Sequence, residues 1–363
     1  MKKVKIGDVC DILNGFAFKS DKYVEKGIRI IRIANVQKGF IEDNVPTFYP
    51  MDSTGLEKYM LKEDDLLMSL TGNVGRVALL QKEMLPAALN QRVACLRLKT
   101  DRITKGFLFH ILNSDFFEQQ CVLASNGVAQ KNMSTEWLKD YEIPLYSIQE
   151  QMKIADILDK TKRIIVAKNN ELRALNELIK ARFVEMFGDP VLNDKKFSTL
   201  SGEDFFKLSN GKAVPEEKRH EVGIPAYGGN GISWYTNEVL RVEDTLVVGR
   251  VGFQSGNVHY AVGPLWITDN AMYISQYDKG KINLGFLCEL MQRVNFSRFQ
   301  DAGDLKKITQ KPFMSFQYIL PSMELQQKFV DFKEQIDKSK VAIQKSLDET
   351  QILFDSLMQK YFG

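Results

Sequence analysis

The residues of this chain that could do chemistry lie in or beside glycine-containing loops and recur in both halves of the sequence. These loops carry Arg, Lys, Asn and Gln, whose side chains bond to phosphate oxygens and to the edges of bases. In the first half the candidates are Lys19, Lys22, Arg32, Asn35, Asn73, Arg76, Asn90, Gln91, Arg92, Gln130, Lys131 and Asn132. In the second half they are Lys212, Lys218, Arg219, Tyr227, Asn230, Arg250, Gln254, Asn257, Asn270, Lys306, Lys307 and Gln310. Since each alone could be an ordinary surface residue, the prediction of nucleic-acid binding rests on their recurrence.

Arrangements typical of an enzyme active site are missing from the sequence. The three histidines, His110, His220 and His259, stand outside any HExxH or Cys-x-x-Cys setting. Asn210-Gly211-Lys212 lacks the upstream glycine and the hydroxyl residue of a phosphate-binding loop. Asp189-Pro190-Val191 does not match the Asp/Asn-Pro-Pro-aromatic motif of DNA methyltransferases. We therefore predict a non-catalytic chain with no catalytic residue and no metal site.

Length and composition indicate a soluble protein with more than one domain. The 363 residues exceed an ordinary domain of about 150 residues. The net charge of +3 does not demand an anionic partner, although 49 basic side chains could cluster on one face. The four cysteines are far apart, so we expect buried thiols and neither disulfides nor a zinc site. The sequence has no signal peptide and no apolar run long enough to span a membrane, which predicts a cytoplasmic location without membrane contact.

An internal repeat determines the predicted architecture. Residues 151–188 align without a gap with residues 326–363, and Gln151 and Gln326 both begin their copy. Positions that are apolar in one copy stay apolar in the other, which is typical of two helices that bury the same face. The chain is therefore expected to consist of two similar halves, each ending in a long helix.

The regions upstream of these helices correspond more loosely and predict mixed α and β structure. Gly72-Asn73-Val74-Gly75 matches Gly249-Arg250-Val251-Gly252. Short β-branched runs such as Ile28–Ile33 and Thr245–Val248 predict strands, and Leu284–Gln292 predicts a short helix. The predicted boundaries are a first globular domain at 1–146, a first long helix at 147–188, a second globular domain at 189–322 and a second long helix at 323–363.

The two repeated segments have the apolar period of a coiled coil. Apolar residues recur about every 3.5 residues over about five heptads in each segment. The predicted seam consists of Ile148, Met152, Leu158, Ile165, Leu172, Ile179 and Phe183 in the first helix and Phe329, Ile336, Ile343, Leu347 and Phe354 in the second. This pattern favours a paired coil, while two separate amphipathic helices, each packed on its own domain, remain the alternative.

Several stretches of the sequence occur in an order that resembles a known family. The chain opens with KIGDVCDILNGFAF, continues with DLLMSLTGNVG and NGVAQKNM, and reaches the first helix through IPLYSIQEQMKIADIL. A second round ends in ILPSMELQQKF before the second helix. Together with the repeat, this order resembles the specificity subunit of type I restriction-modification systems over essentially the whole chain.

The resemblance implies an α+β fold with two target-recognition domains separated by two long helices, which form an antiparallel coiled coil about a pseudo-twofold repeat. Each domain would read one half of a bipartite, asymmetric target in double-stranded DNA. The helices would set the spacer and dock methyltransferase subunits, through which the restriction motor-nuclease subunits join. S-adenosylmethionine, Mg²⁺ and ATP would then act on partner subunits, with no cofactor on this chain.

One alternative of another class is a coiled-coil scaffold or assembly protein that does not bind DNA. Such a protein would show scattered charge and an apolar patch in place of a basic face.

Overall fold

The computed structural model describes residues 2–125, 132–301, 303 and 306–363, which form two compact units. Unit 1 comprises Met1–Asn169 together with Lys345–Gly363, and unit 2 comprises Asn170–Gln344. Each unit combines sheets with helices, which confirms the α+β prediction. All four cysteines are free and buried. Within the described residues, no helix is long and apolar enough to cross a membrane.

Unit 1 combines small sheets with short helices and contains the start of the first long helix. Its elements in chain order are β1 (Lys3–Lys5), α1 (Ile6–Val9), β2 (Cys10–Asn14), β3 (Ile28–Ile31), β4 (Phe48–Tyr49), β5 (Leu66–Ser69), β6 (Val77–Leu79), β7 (Ala87–Leu89), β8 (Val93–Leu98), α2 (Lys105–Leu112), α3 (Asp115–Ala124), α4 (Thr135–Asp140), β9 (Glu142–Pro144) and the start of α5 (Ile148–Phe187). The main sheet is antiparallel in the order β2-β8-β5-β6. A second sheet has the order β4-β3-β7, in which β3 and β7 are parallel, and β1 pairs with β9.

Unit 2 repeats this sheet topology with different loops. Its elements are β10 (Thr199–Ser201), β11 (Phe206–Asn210), β12 (Ile224–Gly228), β13 (Gly231–Thr236), β14 (Thr245–Gly249), β15 (Val258–Ala261), β16 (Trp266–Ile267), β17 (Ala271–Tyr277), α6 (Leu284–Val294), α7 (Lys311–Ser315), β18 (Gln317–Ile319) and the start of α8 (Met323–Phe362). The main sheet has the order β11-β17-β14-β15, the second sheet has β13-β12-β16 with β12 parallel to β16, and β10 pairs with β18. The internal repeat is therefore a repeat of fold as well as of sequence.

Each unit buries one part of both long helices in its own core. In unit 1, Ile154 and Leu158 of α5 share a hydrophobic cluster with Phe362 of α8. In unit 2, Phe183 of α5 and Phe329 of α8 pack edge to face, with ring centroids 5.4 Å apart. The beginning of α5 thus meets the end of α8 in unit 1, and the reverse holds in unit 2. A continuous coiled coil along both helices stays a prediction.

The structure corrects the predicted seam at the start of α5. Met152 is 60% exposed and Ile148 is 38% exposed, so their assignment to the seam is wrong. The buried stripe begins instead at Gln151 and continues through Ile154 and Leu158. Met152 lies one residue, and hence about 100° of helix rotation, away from that stripe. Of the other predicted seam residues, Leu158, Ile179, Phe183, Phe329 and Leu347 are buried, and Ile165, Leu172, Ile336, Ile343 and Phe354 are half-buried.

One buried residue at the start of each long helix connects the helix to its globular unit. Gln151 is fully buried: its Oε1 accepts from the Thr104 N–H at 2.8 Å, and its Nε2 donates to the Arg102 and Tyr146 carbonyls. Gln326 is bound in the same way in unit 2. The shared glutamines of the repeat therefore fix the direction in which each helix leaves its sheet.

Candidate nucleic-acid interface

Three chain segments that carry predicted DNA-binding residues meet beside the main sheet of unit 1. The loop 70–76, which joins β5 to β6, is held on one side because Leu70 N–H donates to the Arg92 carbonyl at 3.0 Å. On the other side, Met133 N–H donates to the Leu70 carbonyl at 2.8 Å. We call the loops 70–76 and 90–92 with residue 132 the loop cluster of unit 1. It brings together Asn73, Arg76, Gln91, Arg92 and Asn132, of which all but Arg76 are exposed.

Unit 2 builds the same frame from its own segments. Arg250 N–H donates to the Asn270 carbonyl and Ile308 N–H donates to the Arg250 carbonyl, both at 2.9 Å. The loop cluster of unit 2 therefore consists of the loops 250–257 and 268–270 with residues 306 and 307. It brings together Arg250, Gln254, Asn257, Asn270, Lys306 and Lys307. Because the backbone bonds correspond while the side chains differ, the two clusters present different chemistry on one framework.

The glycine loops correspond in a register different from the predicted one. Gly75 N–H donates to the Ser69 carbonyl, and the matching bond in unit 2 comes from Gly256. Gly75 therefore matches Gly256, and the predicted match with Gly252 is wrong. Both glycines have positive φ, and a Cβ on Gly256 would come within 2.5 Å of the Ser297 nitrogen. Only glycine fits this close approach.

A cleft of about 690 Å³ lies in unit 2 next to its loop cluster. Four predicted residues line it, namely Arg219, Asn230, Gln254 and Asn270. The Arg219 guanidinium carbon lies 5.2 Å from the centre of the Trp234 ring, a cation–π contact that orients the arginine. Amide groups and an oriented arginine are the groups that read base edges and phosphates. The cleft therefore has the chemistry expected of a nucleic-acid reader.

Lys306 and Lys307 contribute exposed positive charge to the unit 2 loop cluster, which also contains the half-buried Arg250. Both lysine side chains are exposed, and neither has an ion-pair partner within the part of the chain that the structure describes. Lys218, by contrast, donates to Glu238 at 2.5 Å, and this hydrogen bond raises the pKa of Lys218. Lys218 is thus paired locally, whereas Lys306 and Lys307 are exposed.

Two predicted DNA-binding residues, Asn35 and Asn90, are buried, and their amides are engaged inside unit 1. Asn35 is 5% exposed, and its Nδ2 donates to the Glu42 carbonyl and to Asp43 Oδ1 at 2.9 and 3.0 Å. Asn90 is 7% exposed, and its Oδ1 accepts from the Arg92 N–H. Their amides satisfy backbone groups that burial would otherwise leave without a partner.

The remaining predicted residues fall into three groups. Lys19 and Lys22 lie on an exposed turn that, among the described residues, makes no hydrogen bond to the loop cluster of unit 1. Gln130 and Lys131 lie outside the described residues. Arg32, Lys212, Tyr227 and Gln310 are exposed or half-buried and stay predictions.

Sequence reasoning missed the two aromatic residues of the cleft, Trp234 and Phe253. Phe253 directly follows Gly252 in a loop, and an aromatic residue at such a loop position was the available signal. No group of three or more His, Cys, Asp or Glu side chains that could hold a metal ion occurs among the residues that the structure covers.

Comparison with known proteins yields a family match over most of the chain. Residues 1–177 and 194–351 match the model of the type I restriction modification DNA specificity domain. The chain is 32% identical over 175 residues to the type I restriction enzyme MjaVIII specificity subunit of Methanocaldococcus jannaschii, covering 46% of this chain and 41% of that protein. It is 28% identical over 224 residues to the EcoBI specificity subunit of Escherichia coli, covering 59% and 44%. It is also 25% identical over 399 residues to the putative MjaX specificity subunit of M. jannaschii, covering 93% and 90%.

Two solved structures share the fold. The S subunit of a type I restriction-modification system from M. genitalium superposes with a TM-score of 0.69 at 17% identity, covering 100% of this chain and 96% of that one. A chain from a structural study of type I R-M complex assembly gives a TM-score of 0.59 at 16% identity, covering 99% and 97%. At these identities the likeness supports the architecture of two globular units and two long helices.

Proposed function

We propose, from the premise that this chain belongs to the type I restriction modification DNA specificity family, that it is the DNA-reading subunit of a type I restriction-modification complex. One observation carries the proposal: the two units hold their loop clusters on the same backbone frame but fill them with different side chains. Similar frames with unequal side chains read unequal half-sites, so the target is bipartite and asymmetric. Base contacts specify the sequence while phosphate contacts position the unit.

The partner subunits supply the chemistry in this proposal. Methyltransferase subunits bring S-adenosylmethionine, and restriction subunits bring ATP and Mg²⁺. This chain contributes no reacting group and binds no cofactor of its own. The long helices, at 40 residues each, set the distance between the half-sites and provide the docking surface for the methyltransferase subunits.

Methylome sequencing tests the proposal. A cell that carries the partner subunits is sequenced with and without this gene. We expect one bipartite methylated motif that disappears when the gene is deleted. If the methylome is the same in both cells while the chain is folded and bound to its partners, the scaffold alternative replaces the proposal.

A second measurement isolates the chain from its partners. The purified chain is incubated with duplex DNA and labelled S-adenosylmethionine, and we expect no methyl transfer. The control adds the methyltransferase subunit, which is expected to restore transfer. Methylation by the highly purified chain alone would contradict the non-catalytic role.

A further inference from the structure

An apolar side chain stands exposed among the polar residues of the unit 2 cleft. Phe253 is 82% exposed, although a phenyl ring in water is unfavourable. It lines the same cleft as Asn230, Gln254 and Asn270. Scattered exposed apolar residues are ordinary, but this ring lies within the set of groups that would meet the bases.

The backbone that carries Phe253 is held in place on both sides. Gly252 N–H donates to the Lys306 carbonyl at 2.8 Å, and Ser255 N–H donates to the Gly252 carbonyl at 3.0 Å. The Gln300 Nε2 donates to the carbonyl of Ser255 at 2.5 Å and to that of Phe253 at 3.4 Å. The loop therefore fixes the backbone from which the ring projects, and little backbone entropy is lost when the ring meets a ligand.

The neighbours of Phe253 indicate which part of DNA the ring would touch. Asn and Gln amides pair with the N6 and N7 atoms of adenine in the major groove, where thymine, the partner base, presents its C5 methyl group. That methyl is the apolar feature of the base edges in this groove. A ring placed beside the amides, in the same cleft, is positioned for the edges of base pairs.

We infer that Phe253 is a specificity-determining residue that contacts the C5 methyl group of a thymine in the half-site read by unit 2. This inference rests on the proposed function and names one of its base contacts. The bridge between Thr71 and Asn132 in unit 1 corresponds to the bridge between Val251 and Lys307 in unit 2, so Gly72 aligns with Gly252, not with Gly249, and unit 1 carries Asn73 at the place of Phe253. The contact is therefore restricted to one half of the target, and it contributes to the asymmetry of the motif.

The test removes the methyl group from the DNA and the ring from the protein. Duplexes are prepared that contain the target motif identified by methylome sequencing. In each duplex, one thymine of the unit 2 half-site is replaced by uracil. Binding of the full chain is measured by fluorescence anisotropy. We expect wild-type affinity to fall about three- to fivefold at one position, the loss expected for one buried methyl. Phe253→Ala should bind thymine and uracil duplexes equally, and Phe253→Leu should recover part of the difference.

Controls separate this inference from the proposed function. Phe299→Ala removes another partly exposed phenyl ring of unit 2, 42% exposed, and should leave the thymine preference intact. Selective binding of the motif with no loss at any uracil position overturns the Phe253 contact alone. A unit 2 half-site without thymine on either strand also overturns it. A third contrary outcome is an increase in the fluorescence of 2-aminopurine placed in the unit 2 half-site, with no effect of uracil, because this indicates that the ring unstacks the bases as a wedge. Absence of selective binding by the wild type counts against the proposed function itself.

Discussion

Replacing Gln326 with alanine is expected to destabilise unit 2 by about 3 kcal/mol. The side chain is fully buried, and its Oε1 accepts from the Asn283 N–H at 2.8 Å. Its Nε2 donates to the Lys281 carbonyl at 3.0 Å and to the Pro321 carbonyl at 2.9 Å. Three hydrogen bonds at about 1 kcal/mol each give this total. For a unit of this size, the loss corresponds to a decrease in Tm of about 6–12 °C.

The contact also positions the first turn of α6. Asn283 caps that helix, since its Oδ1 accepts from the N–H groups of Gly285 and Phe286. Gln326 thereby links the cap of α6 to the start of α8. Gln326→Glu keeps an acceptor for Asn283 but cannot donate to two carbonyls, and it buries a charge. We expect it to be at least as destabilising as alanine.

Urea unfolding followed by tryptophan fluorescence measures the effect. Trp234 and Trp266 report on unit 2, and Trp137 reports on unit 1. Gln335→Ala, an exposed position on the same helix, is the matched control and should change stability by less than about 0.5 kcal/mol. If Gln326→Ala and Gln335→Ala unfold at the same urea concentration, the buried glutamine does not hold the helix to its unit.

Three further outcomes are expected. Inserting four residues at 169–170 adds about 6 Å of helix, close to two base pairs at ~3.4 Å each, so the spacer of the methylated motif should lengthen by one or two pairs while the half-sites stay the same. An active variant with the original spacer would show that the partner subunits position the units. Burial lowers the pKa of His110 below its ordinary 6.5, although its partner Asp159 at 2.8 Å opposes this. Because protonation then favours the unfolded chain, unit 1 should lose stability as the pH falls below 6.5, and unfolding of His110→Gln at pH 7.5 and 5.5 should lack this loss. Replacing Lys306 and Lys307 with alanine should weaken binding to all sequences alike and flatten the salt dependence of log Kd by about 1.8; a loss restricted to one sequence would instead identify a base contact.

Local patterns in the sequence were enough to establish the architecture. The gapless match of residues 151–188 with 326–363 predicted two long helices, and the structure has them at Ile148–Phe187 and Met323–Phe362. The β-branched runs predicted strands that the structure contains, such as β14 at Thr245–Gly249. The period of apolar residues and the runs of β-branched residues are properties of neighbouring positions, so they can be recognised without knowledge of the fold. The periodicity did not identify the exposure of Ile148 and Met152, since the buried stripe of the first helix begins at Gln151.

Tertiary structure decided which of the polar residues lie on a shared surface. Asn35 and Asn90 have the same residue type as Asn230, yet the first two satisfy backbone groups inside unit 1 while the third lines a cleft. The placement of Phe253 depends on the bond that the Gly252 N–H donates to the Lys306 carbonyl and on the bond that Gln300 donates to the Ser255 carbonyl, and both partners lie far along the chain. Burial and the meeting of loops arise from contacts between distant segments. A single sequence shows which side chains are present. It does not show which of them share a surface, because the shared surface depends on how the segments pack against one another.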